Sequence, residues 1–326
     1  MTRILIAGCG DIALRVARLL PDNYSLFGLL RNPARQAELR AAGIIPFPAD
    51  LDNPASLQRL RGLAHTVLHF APPPVSSPTE PARDAIFIDT RTRNLLAALS
   101  QGRLPQRLIY ISTSGVYGDC AGAVVDETRA LHPKTTRAQL RVSAENQIRN
   151  WAKHNGVRAS ILRVPGIYAA ERLPLERLKK GTPALVAAED GYTNHIHADD
   201  LAQCVIAAMT RAKPNRIYHT VDDSRMKMGE YFDAVADAFA LPHAARISRA
   251  EAKNVLSPML LSFMNESRRL TNTRMKRELN VVLRYPTVAH ALQEISQTAI
   301  KPRCSPAPAA AVSASPHLQQ LSLPLF

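Results

Sequence analysis

The sequence predicts an α/β protein built on a doubly wound parallel sheet. Three observations carry that reading. Strand-length apolar runs alternate with helical periodicities through the first half of the chain. A Gly-x-Gly turn joins the first strand directly to the first helix. At 326 residues the chain can bury one sizeable core plus a smaller lobe. The expected layout is a sheet domain over 1–168, a smaller α/β substrate-side lobe over 169–300 interleaved with it, and a tail over 301–326.

The first element sets the others. Residues 3–7 (RILIA) are an apolar run of strand length, followed by Gly8-Cys9-Gly10 and by Ile12, Val16 and Leu19 at helical spacing. A strand feeding a helix this abruptly aims unpaired N–H groups and the helix dipole at one spot, which suits a pyrophosphate. Gly8 can make the tight turn, Gly10 lets a phosphate approach the backbone, and Ala13 takes the third place of the pattern. This is the dinucleotide-binding, or Rossmann, arrangement. Its expected cofactor positions here are Gly8, Gly10, Asp11 and Ile12, with Asp11 a poor phosphate neighbour unless its side chain turns away.

The second strand, Tyr24–Leu30, ends at Arg31-Asn32-Pro33. An acid at this point would accept from the ribose of NAD, whereas an arginine accommodates the 2′-phosphate of NADP. Arg31, with Arg35 one turn later, therefore favours NADP, with NAD the alternative. A third strand over 44–49 closes on Asp50 and Leu51. Asp50 either accepts from the adenine amine or caps the helix beginning near Pro54. The fourth strand, 65–70, runs into Ala71 and Pro72, whose loop would pass beneath the cofactor, with 72–81 a mobile flap. A helix over 85–100, a strand over 107–112, a helix over 136–153 and a strand over 158–163 complete the alternation. Beyond Tyr168, helical segments (173–179, 201–210, 229–239, 287–295) mix with short strands such as 217–221.

Bulk properties narrow the function classes. No apolar run approaches the ~20 residues of a membrane helix. The N-terminal apolar run is the first strand, not a leader. The four scattered cysteines form no C-x-x-C pair, which points to a reducing cytoplasm. The net charge of +14 raises nucleic acid as a partner, but no long basic run exists and aromatics are 5%, so direct nucleic-acid binding is not expected. His195-x-His197 with Asp199 and Asp200 has metal-like spacing, yet the two acids read better as the N-cap and first turn of a helix. No metal is expected.

The motifs AGCGDIA, Asp50-Leu51, HFAPP, YISTSGVYGD, ILRVPGIY and HIHADDLA, in that order, resemble those of the extended short-chain dehydrogenase/reductases, the NAD-dependent epimerases and dehydratases. The resemblance extends to about Ile300. It implies that Thr113 stands at the family's catalytic Ser/Thr, four residues before Tyr117. It also implies that Val164, Pro165 and Gly166 line the nicotinamide end, and that His197, Asp199 and Asp200 sit at the base of the second lobe. One departure stands out. The family's catalytic Tyr-x-x-x-Lys occurs nowhere in the chain. With register taken from Glu145, its two positions fall on Arg137 and Arg141. An arginine cannot relay a proton, although Arg141 can hold a ribose or phosphate. The chain thus looks like the family's atypical members.

Two functions are expected from this. The first is an NAD(P)-binding oxidoreductase or epimerase/dehydratase-like protein acting on a small carbonyl or hydroxyl compound. Its catalytic residues would be Thr113, Tyr117 and Arg141, with the proton coming from Tyr117, from a carboxylate such as Asp126 or Glu127, or from water; Tyr117 reads equally as a core residue with its hydroxyl satisfied. The second is a cofactor-binding sensor or scaffold that has lost its chemistry, as a monomer or homodimer. The tail adds a partner. Its Pro/Ala/Ser composition predicts disorder, but it ends in QLSLPLF. That peptide resembles the one bacterial proteins use to dock on the replication sliding clamp, with Gln320 making polar contacts and Leu321, Leu323, Leu325 and Phe326 filling apolar pockets.

Overall fold

A computed structural model describes residues 1–74 and 87–300 of the chain. Seven parallel strands form the sheet: β1 (Thr2–Ala7), β2 (Tyr24–Leu30), β3 (Ile44–Pro48), β4 (Thr66–His69), β5 (Arg107–Thr113), β6 (Arg158–Val164) and β7 (Arg216–His219). Their spatial order is β7-β6-β5-β4-β1-β2-β3. The order reverses beside β1, and ligands of open α/β sheets bind at such a switch point. β1 is central, so Ile4, Leu5, Ile6 and Ala7 are fully buried, which is why it reads as a continuous apolar run.

Helices cover both faces. On one, α1 (Asp11–Leu19) packs Ala13, Val16 and Ala17 against Leu201, Ala202 and Val205 of a helix over Ala198–Arg211. On the other, a helix over Thr90–Leu99 packs Leu95, Leu96 and Leu99 against Ala144, Ile148 and Ala152 of α2 (Thr136–Asn155). α2 is set at both ends: the Thr135 hydroxyl accepts from the Ala138 N–H, and Gly156 closes it in the left-handed conformation. A third cluster, with Tyr168, Leu178, Tyr231, Phe232, Val235, Val288 and Leu292, forms the core of the C-terminal segments.

Several boundaries differ from the sequence reading. The helix expected over 85–100 starts at Thr90, because Asp89 caps it by accepting from the Thr92 N–H and hydroxyl. The helix expected over 201–210 starts at Ala198 with His197 as its N-cap, placing Asp199 and Asp200 in the first turn. Asp50 caps nothing near Pro54; Asn53 accepts from the Ala55 N–H there. The strand and helix expected near 217–221 and 201–210 belong to the large sheet and its covering layer. A short parallel strand has the same sequence pattern wherever it pairs. Most of the expected flap (72–81) and all of the tail lie outside the described residues. Among the described residues no helix is long and apolar enough to cross a membrane.

Candidate active site

The glycine turn is built by close approach. Phe70 and Ala71 both donate their N–H groups to the Ala7 carbonyl, at 2.7 and 2.8 Å. That folds the exit of β4 over Gly8, whose φ is +106° and whose added Cβ would lie 2.4 Å from the Ala71 nitrogen. Only glycine fits. Gly10 differs: a Cβ there would meet nothing within 4 Å, and no side chain caps the start of α1. Open space and uncapped first-turn N–H groups meet at one point, which fits a pyrophosphate. Asp11 does turn away, its carboxylate accepting from Arg15 Nε at 2.9 Å and pairing with Arg172 at 3.1 Å.

A cavity of about 630 Å³ opens from this turn. Gly8, Gly10, Asp11, Ile12, Arg31, Asp50, Leu51, Ala71 and Pro72 all line it. Arg31 is exposed, its Nη1 3.9 Å from Asp52. Arg35 donates from Nη1 to the Cys9 carbonyl at 2.8 Å and pairs with Glu38. One Asp50 oxygen accepts from the Asp52 N–H at 3.0 Å.

A second cavity of about 550 Å³ adjoins the first, and Ile111, Arg141, Ile167 and Arg172 line both. It holds Thr113, Arg137, Val164, Pro165 and Gly166. The Thr113 hydroxyl accepts from the Gly115 N–H at 3.2 Å. Arg141 donates from Nη1 to the Tyr110 hydroxyl at 2.9 Å and the Ile111 carbonyl at 2.8 Å.

Tyr117 lines neither cavity. It is fully buried beneath the floor, in a closed polar network. Glu145 takes two bonds from Arg163, at 3.1 and 2.6 Å, and one from the Ser112 hydroxyl at 2.5 Å. Arg163 Nη1 donates to the Tyr117 hydroxyl at 2.6 Å, and that hydroxyl lies 2.6 Å from His219 Nε2. His219 Nδ1 is 3.1 Å from the Thr271 carbonyl, which can only accept, so Nδ1 carries the proton and Tyr117 donates to Nε2. Burial pushes the phenol up to about 12 and His219 down to about 3. Both groups hold their protons in place. Asp126 is exposed and bonded to Thr128, and Glu127 accepts from the His219 N–H and lies 3.6 Å from Arg274. Neither lines the cleft.

Sequence reasoning missed the far wall of the second cavity: Asp190, Tyr192, Asn194, Tyr231, Glu266 and Arg268. Asn194 ties it together, donating to the Arg268 carbonyl and accepting from the Leu270 N–H. No local motif reports contacts spanning more than 70 residues. Asp190 Oδ1, His195 Nδ1 and Arg268 Nε are buried there without hydrogen-bond partners among the described residues. Buried orphans gathered on one cavity wall suit a polar ligand. His195 stacks on Tyr231 with ring centroids 4.2 Å apart, and His197 caps its helix, so neither is arranged as a ligand pair. Among the described residues no group of acids, histidines or cysteines is placed to hold a metal.

Sheet order, glycine turn and a two-part cleft at the carboxyl edge define a dinucleotide-binding α/β protein. The NAD-dependent epimerase/dehydratase family model matches residues 4–220, and the chain belongs to that family. GDP-6-deoxy-D-mannose reductase of Pseudomonas aeruginosa is 26% identical over 249 residues, covering 68% of this chain and 82% of the relative. A conserved protein of unknown function from Silicibacter pomeroyi has a similar structure, with TM-score 0.73 and 29% identity over 92% of this chain and all of that one. UDP-glucuronic acid 4-epimerase from Bacillus cereus, solved with NAD, shares the fold at TM-score 0.70 and 16% identity, over 92% and 100% of the two chains.

Proposed function

We propose that the protein is an NADP-dependent oxidoreductase or epimerase-like enzyme acting on a small carbonyl or hydroxyl compound. The observation that carries this is the continuity of the cleft: the residues expected at the dinucleotide line one cavity, and Thr113 with Arg141 lines the next. In this reading 1–168 carries the cofactor, and 169–300, interleaved with it where 198–219 joins the large sheet and its covering layer, closes over the substrate. A bound nicotinamide supplies a hydride to a substrate carbonyl carbon or takes one from the matching alcohol.

The chain's own groups do the remaining work. First-turn N–H groups of α1 hold the pyrophosphate, and Arg31 faces the 2′-phosphate. Val164, Pro165 and Gly166 pack the nicotinamide end. Thr113 hydrogen-bonds the substrate oxygen, and Arg141 takes the place of the family's lysine. In the reducing direction that oxygen needs one proton. Arg137 cannot deliver it, and the Tyr117 proton is held by His219 beneath the floor. That leaves water or a carboxylate on the cavity wall, Asp190 or Glu266, as the donor. NADPH consumption against a panel of carbonyl compounds tests the reading: turnover should fall on Thr113→Ala, and unchanged turnover overturns the role given to Thr113.

A second reading is favoured by residues 320–326, which lie outside the described residues: a cofactor-binding sensor or scaffold tethered to a sliding clamp. Tight NADPH binding with no hydride transfer supports it, together with a 318–326 peptide that binds purified clamp and loses binding on Gln320→Ala with Leu323→Ala. No binding by the wild-type peptide ends the tether.

A further inference from the structure

Arg137 and Arg141 stand four residues apart on α2, and both line the substrate-side cavity. Side chains at that spacing are neighbours, and like charges there repel. Burial first, and then the Arg141 charge, pushes the Arg137 guanidinium below its ordinary value. Elsewhere in the cleft, Arg31 and Arg91 face Asp52, Arg35 faces Glu38, Arg172 faces Asp11, and Arg268 faces Glu266. Arg141 makes no ion pair among the described residues, and both of its hydrogen bonds leave from Nη1 to neutral oxygens. Asp89 feels its charge, but that carboxyl caps a helix and is pushed toward neutrality by burial. Glu266 acts on Arg137 while bonded to Arg268. The floor of the cavity beside Thr113 therefore carries paired positive charge.

We propose that Arg137 and Arg141 form an anion subsite for an oxyanion group carried next to the substrate's reacting carbon, either a carboxylate or a phosphate. This rests on the oxidoreductase reading above and narrows its substrate to 2-oxo or 2-hydroxy acids or phosphorylated carbonyl compounds. The guanidinium fork matches the planar oxygen pair of a carboxylate and two oxygens of a phosphate. Thr113 lines the same cavity, so an anion held on α2 brings its neighbouring carbon to that hydroxyl. The residues that displaced a proton relay thereby serve orientation.

Calorimetry on the full chain saturated with NADPH tests this, with oxamate, its neutral analogue oxamide, and inorganic phosphate as probes. Oxamate or phosphate should bind, and oxamide should bind about tenfold more weakly than oxamate or not at all. The tighter of the two anions identifies the group the substrate carries. Arg137→Gln should weaken anion binding about tenfold or more, and Arg137→Lys should restore part of it. NADPH affinity and melting temperature of both variants should stay near wild type, which separates the effect from misfolding. Equal binding of oxamate and oxamide without phosphate binding, no binding of either anion, or undiminished binding by Arg137→Gln overturns the subsite. Failure of NADPH to bind the wild type instead overturns the cofactor reading, and oxamate and phosphate titrated into the cofactor-free chain then decide the subsite alone.

Discussion

The two halves of the cleft are built differently. Most of the first cavity is made from strand ends and the turns that follow them: 8–13, 29–35, 49–51 and 70–72. Each is a short contiguous segment whose residue types follow from local geometry. The second cavity shares its floor with the first, but its far wall comes from 190–195, 228–231 and 264–268. Those segments meet only through long-range bonds such as Asn194 to Arg268. One half is thus a property of local sequence and the other of tertiary packing.

Glycine substitutions break this comparison most sharply. Gly8→Ala places a Cβ into the Ala71 backbone at positive φ, so the chain should lose about 4 kcal/mol or more of stability in urea unfolding, or fail to fold. Gly10→Ala meets no atom of the protein and sits at φ −88°, so stability should stay within about 0.5 kcal/mol while dinucleotide affinity falls. Equal stability losses for the two would show that Gly10, like Gly8, is required by the fold rather than placed for a ligand.

Beneath the second cavity, the buried Glu145–Arg163 pair is the next largest lever. Glu145→Gln leaves Arg163 charged without its carboxylate in the core, and unfolding should become easier by about 3 kcal/mol. Tyr117→Phe removes one member of the same network and should cost about 1–2 kcal/mol. Its pH–rate profile should match wild type, because the hydroxyl lies under the floor. A displaced profile would return Tyr117 to the chemistry.

These results bear on what was legible in the sequence. The β1–turn–α1 unit, the sheet and the positions around the first cavity follow from periodicity, glycine placement and strand ends. The structure places all nine residues expected there along one cavity. Tyr117 shows the limit. A tyrosine after a strand end reads the same whether its hydroxyl faces the cleft or a buried histidine 102 residues away. Glu266 and Arg268 carry no local signature at all.

Acid should distinguish the halves more weakly. Burial holds His69 on β4, His195 on the wall of the second cavity and His219 beneath it at about 3. The unfolded chain takes up protons at these residues below pH ~6.5. Since the folded values are depressed, stability is full above pH ~6.5 and falls as pH drops toward 3. His69→Gln should shrink the slope by about one proton, or ~1.4 kcal/mol per pH unit. An unchanged slope would mean that His69 is already charged in the fold.

The smallest effect is expected at the rim, where Arg31 is proposed to decide between two cofactors. Its side chain is 68% exposed, and its contact to Asp52 is a long 3.9 Å. A surface pair of that length contributes little, so the guanidinium is available at small cost. Asp52 is already taken by Arg91, which approaches to 2.6 Å. A 2′-phosphate at the end of β2 therefore meets a cation whose carboxylate is committed elsewhere. Wild type should bind NADPH about tenfold more tightly than NADH, and Arg31→Ala should erase most of that margin while leaving NADH affinity nearly unchanged. Raising salt should shrink the margin as well, because the contact is exposed. Equal affinity for the two cofactors in wild type would show that Arg31 is a surface arginine with no part in selection.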